Sequence, residues 1–194
     1  FAYTKQAVRD MLFGDWEEYD LLPSPEWTDE HIPWQESNQR RSYTMHKEQH
    51  GYECINGEGL ATGHLLGGCL DVFLMANGTS IWPSPEEWDG AILFWETSED
   101  KPSPGFVRWT LRNLAAQGIL RRIRGMLVGK PQDETYYEEY KAVIRQVVAE
   151  EEHLEKLPIL YNINIGHARP IGILPYGVQA EIHCEKRTVR ILEA

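Results

Sequence analysis

The sequence has no basic stripe, no paired-cysteine motif and no apolar run long enough to span a membrane, and each lack removes a class of function. Acidic residues outnumber basic ones by 30 to 19, for a formal net charge of −11, which argues against nucleic acid as a partner. The same charge favours solubility and says little about a small substrate. Three cysteines, Cys54, Cys69 and Cys184, are odd in number, far apart and without CxxC spacing. That pattern favours a reducing compartment, makes the cytoplasm the expected location and speaks against a metal knuckle. Without a stretch of about 20 apolar residues, no membrane partner is expected. No signal peptide is legible at the start. The chain opens on Phe1 rather than Met, as expected for part of a longer product.

What is present suits one globular domain. In 194 residues, 42% of them hydrophobic, there is material for a single core, and no internal repeat breaks it up. Thr4 can cap a first helix whose Ala7, Val8, Met11 and Leu12 recur at helical spacing before Gly14 stops it. Over residues 15–49 the periodicity dissolves, and Pro23, Pro25 and Pro33 punctuate a segment bearing Trp16, Trp27 and Trp34. Such a stretch in a compact domain is a binding loop or a linker, and three indoles that need a surface to cover favour the loop. Residues 1–50 therefore read as a helix and Trp-rich segment, and 51–194 as the domain proper.

From residue 51 the pattern is regular. Residues 52–55 read as a short strand, and the run from Gly63 is expected to continue as an apolar helix toward Met75. In that reading Gly67 and Gly68 serve close helix packing. Residues 91–95 form a continuous apolar run, the mark of a strand covered on both faces. Ser103 and Pro104 open a helix that ends at Gly118. A strand over 123–128, a charged helix over 134–151 and a strand over 159–163 follow. Alternation at Val178, Ala180, Ile182 and again at Val189, Ile191 predicts a closing hairpin. The expected class is α/β, with parallel strands and a C-terminal antiparallel hairpin.

Two polar residues fall just past predicted strands. Glu96 follows the run at 91–95, and His167 follows the strand ending at Ile163, behind Gly166, which permits a sharp turn. In open α/β folds ligands gather outside the carboxyl ends of strands. A carboxylate and an imidazole there have the chemistry of a base and its orienter; each alone reads equally well as a turn cap or a hydrogen-bonded loop residue. No nucleophile accompanies them. The serines stand at 24, 37, 42, 80, 84, 98 and 103, none in a strand–turn–helix elbow. A metal hydrolase reading fails at His46-Lys47-Glu48-Gln49-His50, where Lys47 stands in the place a zincin gives to glutamate. His31, His153 and His183 carry no partner signal.

The ordered set Gly63-x-x-x-Gly67-Gly68-x-Leu70, Ile92-Leu93-Phe94-Trp95-Glu96-Thr97, Leu114-Ala115-Ala116-Gln117-Gly118-Ile119, Ile123-Arg124-Gly125-Met126-Leu127-Val128-Gly129 and Pro158-Ile159-Leu160-Tyr161-Asn162 resembles the LD-carboxypeptidase family of serine peptidases. Gly166-His167-x-x-Pro170 and Leu174-Pro175-Tyr176-Gly177 complete it, over roughly residues 51–193. Pro25-Glu26-Trp27 resembles the microcin C immunity branch of that family. The resemblance implies two domains: an N-terminal one holding the nucleophilic serine, and a C-terminal swivelling β/β/α domain holding the triad's glutamate and histidine. Glu96 and His167 match those two residues. The chain is then expected to start after the serine domain, its natural partner, and to be inactive alone. Trp27 and Trp34 are candidate substrate-binding residues of the early loop. The implied reaction is amide hydrolysis of murein tetrapeptide, and the alternative is hydrolysis of a microcin C-type aminoacyl-nucleotide. A non-catalytic scaffold or dimerisation domain is the reading from another class. A homodimer is implied by the family, and neither cofactor nor metal is.

Overall fold

The computed structural model describes residues 2–192; Phe1, Glu193 and Ala194, the ends of the segments read from the sequence, lie outside them. In chain order come α1 (Ala2–Phe13), β1 (Glu18–Leu21), β2 (Glu26–Trp27), β3 (His46–Lys47), β4 (Glu53–Asn56), β5 (Leu60–Cys69) and the short α2 (Leu70–Phe73). Then follow β6 (Ile92–Glu96), α3 (Pro104–Ala116), β7 (Gly125–Gly129), α4 (Tyr137–Arg145), β8 (Ile159–Ile163), β9 (Gln179–His183) and β10 (Thr188–Leu192). One sheet has the order β1-β10-β9-β5-β6-β7-β8-β4, and β2 pairs with β3 apart from it. From β5 to β8 the neighbours are parallel, while β4, β9, β10 and β1 add antiparallel pairs. This is the expected α/β class, with the hairpin where alternation placed it.

The parallel strands are apolar on both faces because both are covered. On one face Leu93, Trp95, Met126, Val128, Ile159 and Tyr161 pack with the buried sides of α3 and α4. On the other, Ile92, Phe94, Leu127, Leu160 and Ile163 meet Leu65, Ala180, Ile182 and Ile191. Each such side chain, fully buried, contributes about 1.5–3 kcal/mol. Ser103 caps α3 as its sequence suggests, its Oγ accepting the Phe106 N–H at 3.2 Å. The charged helix begins only at Tyr137, because Asp133, Glu134 and Tyr136 take positive φ. A π-helical stretch over Gln146–Glu151 extends it.

Two expectations need correction. Residues 63–69 are strand, not helix: β5 runs to Cys69, and only the short turns after it are helical. Burial alternates along β5 residue by residue, a period of two that glycines disguise because they add nothing to an apolar count. Gly67 serves strand approach rather than helix packing, since a Cβ there would lie 1.7 Å from the Phe94 carbonyl oxygen. β5 also turns a corner. Its Leu60–His64 half pairs with β9 and its Leu65–Cys69 half with β6, so the sheet curls.

The cysteines are the second correction. Cys54 and Cys184 are joined in a disulfide, with Cα atoms 5.1 Å apart, and Cys69 remains free. A long sequence separation hid the pairing. Cys54 lies on β4 and Cys184 directly follows β9, so the bridge ties the far edge of the parallel strands back to the hairpin. A disulfide removes the cysteine argument for a reducing compartment. Among the described residues no helix is long and apolar enough to cross a membrane.

Candidate active site

Glu96 is the last residue of β6 and His167 lies in the loop after β8, at the carboxyl ends of two parallel strands with β7 between them. The structure brings the two together. His167 Nδ1 stands 2.8 Å from Glu96 Oε2, and the His167 backbone N–H donates to the same oxygen at 3.2 Å. Glu96 is buried, whereas the His167 side chain is 40% exposed. One ring nitrogen is therefore held from inside and the other faces outward. Glu99 closes on that outer nitrogen, with Oε2 at 3.2 Å from Nε2.

Local sequence makes this contact possible. Gly166 has φ +87°, and a Cβ there would sit 2.2 Å from Glu96 Cγ. Only glycine meets both conditions. Gly129, at the end of β7, leaves room on another side, where a Cβ would come 2.5 Å from the Glu96 Cβ. Asn164 fixes the start of the loop: its side-chain oxygen accepts the Ser24 N–H at 2.8 Å, and its carbonyl accepts the Gly172 N–H at 2.7 Å. Thr28 and Arg169 exchange backbone hydrogen bonds, so the Trp-rich segment is sewn to the histidine loop.

Burial pulls the His167 pKa down, but the hydrogen bond and charge of Glu96, with Glu99 and Asp71 behind it, outweigh burial and leave it raised. Cys69 is a neighbour the sequence reading left out. It lies opposite Glu96 in the β5–β6 register. Burial first, then the negative charge of Glu96, pushes its thiol up to about 12. Asp71 takes the Ser98 hydroxyl and backbone N–H on one oxygen.

The two tryptophans are placed differently. Trp27 is 8% exposed, with the Lys130 ammonium 4.5 Å from its ring centre and the His46 ring at 4.8 Å. Lys130 is itself buried and is held by Glu48, Glu134 and Asn162. Trp34 is fully exposed, on an open groove of about 590 Å³ formed within residues 32–43. That groove contains neither Glu96 nor His167. His46 and His50 do not share a helix face: His46 belongs to β3, and His50 stacks on Tyr137 at 4.4 Å.

The family described as the LD-carboxypeptidase C-terminal domain matches residues 62–182. A candidate carboxypeptidase of Treponema pallidum (strain Nichols) is 26% identical over 172 residues, covering 89% of this chain and 48% of its own length. YocD of Bacillus subtilis (strain 168), also named as a candidate carboxypeptidase, is 28% identical over 189 residues, covering 97% of this chain and 54% of itself. Among solved structures, an MccF-like protein from Streptococcus pneumoniae in complex with AMP superposes with a TM-score of 0.84 at 29% identity, over 98% of this chain and 57% of that one. An MccF-like protein from Bacillus anthracis str. Ames gives 0.83 at 26% identity, over 100% and 56%. The chain thus spans about half the length of the relatives it matches.

Proposed function

The chain belongs to the LD-carboxypeptidase family through its C-terminal domain, and from that premise we propose that it supplies the base and its orienter to a serine hydrolase cleaving an amide beside a free carboxyl end. The observation that carries the reading is the 2.8 Å contact between His167 Nδ1 and buried Glu96, with Nε2 turned outward. In the reaction, His167 Nε2 takes the proton of a serine hydroxyl as that oxygen attacks the scissile carbonyl, and later returns it to the leaving amine. Glu96 holds the proton on Nδ1 and stabilises the imidazolium that forms. Glu99 must leave Nε2 before a serine can approach it. The serine and oxyanion donors come from outside these 194 residues, from the N-terminal domain the family resemblance implies, and the chain alone is inactive. The murein tetrapeptide is the substrate, as that resemblance implies, and the working protein is a homodimer.

A second substrate reading, an aminoacyl-nucleotide of the microcin C type, is supported by the AMP complex of the Streptococcus pneumoniae relative. Trp34 offers an exposed aromatic face of the kind that stacks on a base, on a groove apart from Glu96 and His167; buried Trp27 would act by supporting the loop. The test is hydrolysis by the full-length protein carrying His167→Ala, assayed on a murein tetrapeptide and on an aminoacyl sulfamoyl adenosine or its hydrolysable parent. Loss of at least about 1,000-fold is expected on the true substrate. An unchanged rate on both would favour the scaffold reading.

A further inference from the structure

We propose that Cys69, Glu96 and His167 form a binding site for a thiophilic divalent cation, with zinc as the type, and that its occupancy silences the acid–base pair. The silencing rests on the hydrolytic reading above; the binding does not. A thiol sulfur, a carboxylate oxygen and a ring nitrogen all lie within 4.8 Å of one another. They come from three places in the fold: the end of β5, the end of β6 and the loop after β8. Cysteine, histidine and carboxylate are the donors that zinc takes in tetrahedral sites. Bond lengths of 2.0–2.3 Å put neighbouring ligand atoms about 3.3–3.7 Å apart. The 2.8 Å contact between Nδ1 and Oε2 then opens by roughly half an ångström as the sulfur is drawn in.

The surrounding charge favours a cation independently of this geometry. Glu96 and Glu99 both contact the ring, and Asp71 acts on it from two residues beyond the thiol. Among the described residues, none of the three carboxylates is paired with a lysine or arginine. One Asp71 oxygen is buried with no hydrogen-bond partner among them. A water molecule would complete four-coordination, as in zinc sites with three protein ligands. On binding, the thiol loses its proton to solvent and the ring proton moves from Nδ1 to Nε2, beside Glu99, while bonds from sulfur, nitrogen and oxygen to the metal form without electron transfer. Nδ1 no longer donates to Glu96, and Nε2, now carrying the ring proton, cannot take one from a serine.

Cobalt(II) reports the site directly, because Cys54 and Cys184 are bonded to each other and Cys69 is the free cysteine among the described residues. Titrating cobalt(II) chloride into the 194-residue chain without reductant should give, at one equivalent, a thiolate-to-cobalt charge-transfer band and the visible bands of a tetrahedral ion, both erased by zinc. Cys69→Ser should abolish the charge-transfer band and weaken binding by at least about 100-fold, given that loss of an outer-shell partner alone costs 10–100-fold. His167→Ala should weaken binding while keeping the band. Thermal melts of the metal-free variants establish that they fold. Absence of a thiolate band in the wild-type chain overturns the proposal, and so does a band that survives Cys69→Ser. A chain that binds cobalt but whose full-length form hydrolyses neither substrate would overturn only the hydrolytic reading.

Discussion

A histidine can take a proton only while it is neutral, and the acidic surroundings of His167 delay that state. Its pKa is raised above the ordinary value near 6.5 by Glu96, Glu99 and Asp71, against the opposing effect of burial. The acid limb of kcat/KM for the full-length protein should therefore lie above pH 6.5. Glu99→Gln should move it toward lower pH, and an unmoved limb would contradict the role given to Glu99. The linkage to stability has a definite sign. A raised value contributes stability that is fully present below the unfolded pKa and fades as pH rises through the folded one, so melting at pH 5 should gain from the contact and melting at pH 9 should not. Gly166 offers a second test at this scale. Gly166→Ala combines a φ of +87° with a Cβ 2.2 Å from Glu96 Cγ, so it should displace the carboxylate and lower stability by about 1–3 kcal/mol, read by thermal and denaturant melts. Glu96 and His167 were legible because each directly follows an apolar run and strand ends are where ligands gather. Glu99 and Asp71 were not, since no pattern in the sequence sets a carboxylate near an imidazole dozens of residues away.

Elements show why Cys69 was missed. The stretch from Gly63 was read as a helix, and on a helix Cys69 has no cross-strand partner. As the end of β5 it stands opposite Glu96. The period-two signal was diluted by Gly63, Gly67 and Gly68; at Gly63 and Gly67 the small size is required by backbone approach, and Gly68 takes a φ of +156°. Gly67→Ala should show this: with a Cβ 1.7 Å from the Phe94 carbonyl oxygen, the β5–β6 pair must part. A loss of about 3 kcal/mol or soluble expression lost altogether is expected, whereas a melt within half a degree of wild type would refute the close approach. The long irregular segment was legible only as irregular. Its short strand β1 is fixed by a partner far away in sequence, Leu192 to Val189, and β2 and β3 are fixed by each other across residues 28–45, so local propensity carries no trace of them. Caps and uninterrupted apolar runs were readable because their causes are local. Ser103, Pro104 and the run at 91–95 are the examples.

At the scale of the molecule, a curled sheet is closed by one covalent bond. Cys54 and Cys184, 130 residues apart, hold the β4 edge against the hairpin, and cross-links that close long loops restrict the unfolded chain most. Replacing both by serine should cost about 2–4 kcal/mol, measured as a lower melting temperature than that of the oxidised chain, with reductant having no further effect on the variant. The bridge was illegible because three widely spaced cysteines specify no pairing. The parallel core, the hairpin and the positions of Glu96 and His167 just past strands were readable, since they follow from hydrophobic pattern along the chain. Those strand ends are where the account makes its central claim, that the carboxylate of Glu96 orients His167 for proton transfer. The most direct test is kcat/KM against pH for the full-length protein with Glu96→Gln, alongside its melting curve. The account predicts a fall of about 10,000-fold, the scale set by replacing the orienting acid of a known triad, with the fold retained and the residual acid limb moved to lower pH. A folded variant within tenfold of the wild type, with its acid limb in place, would contradict it.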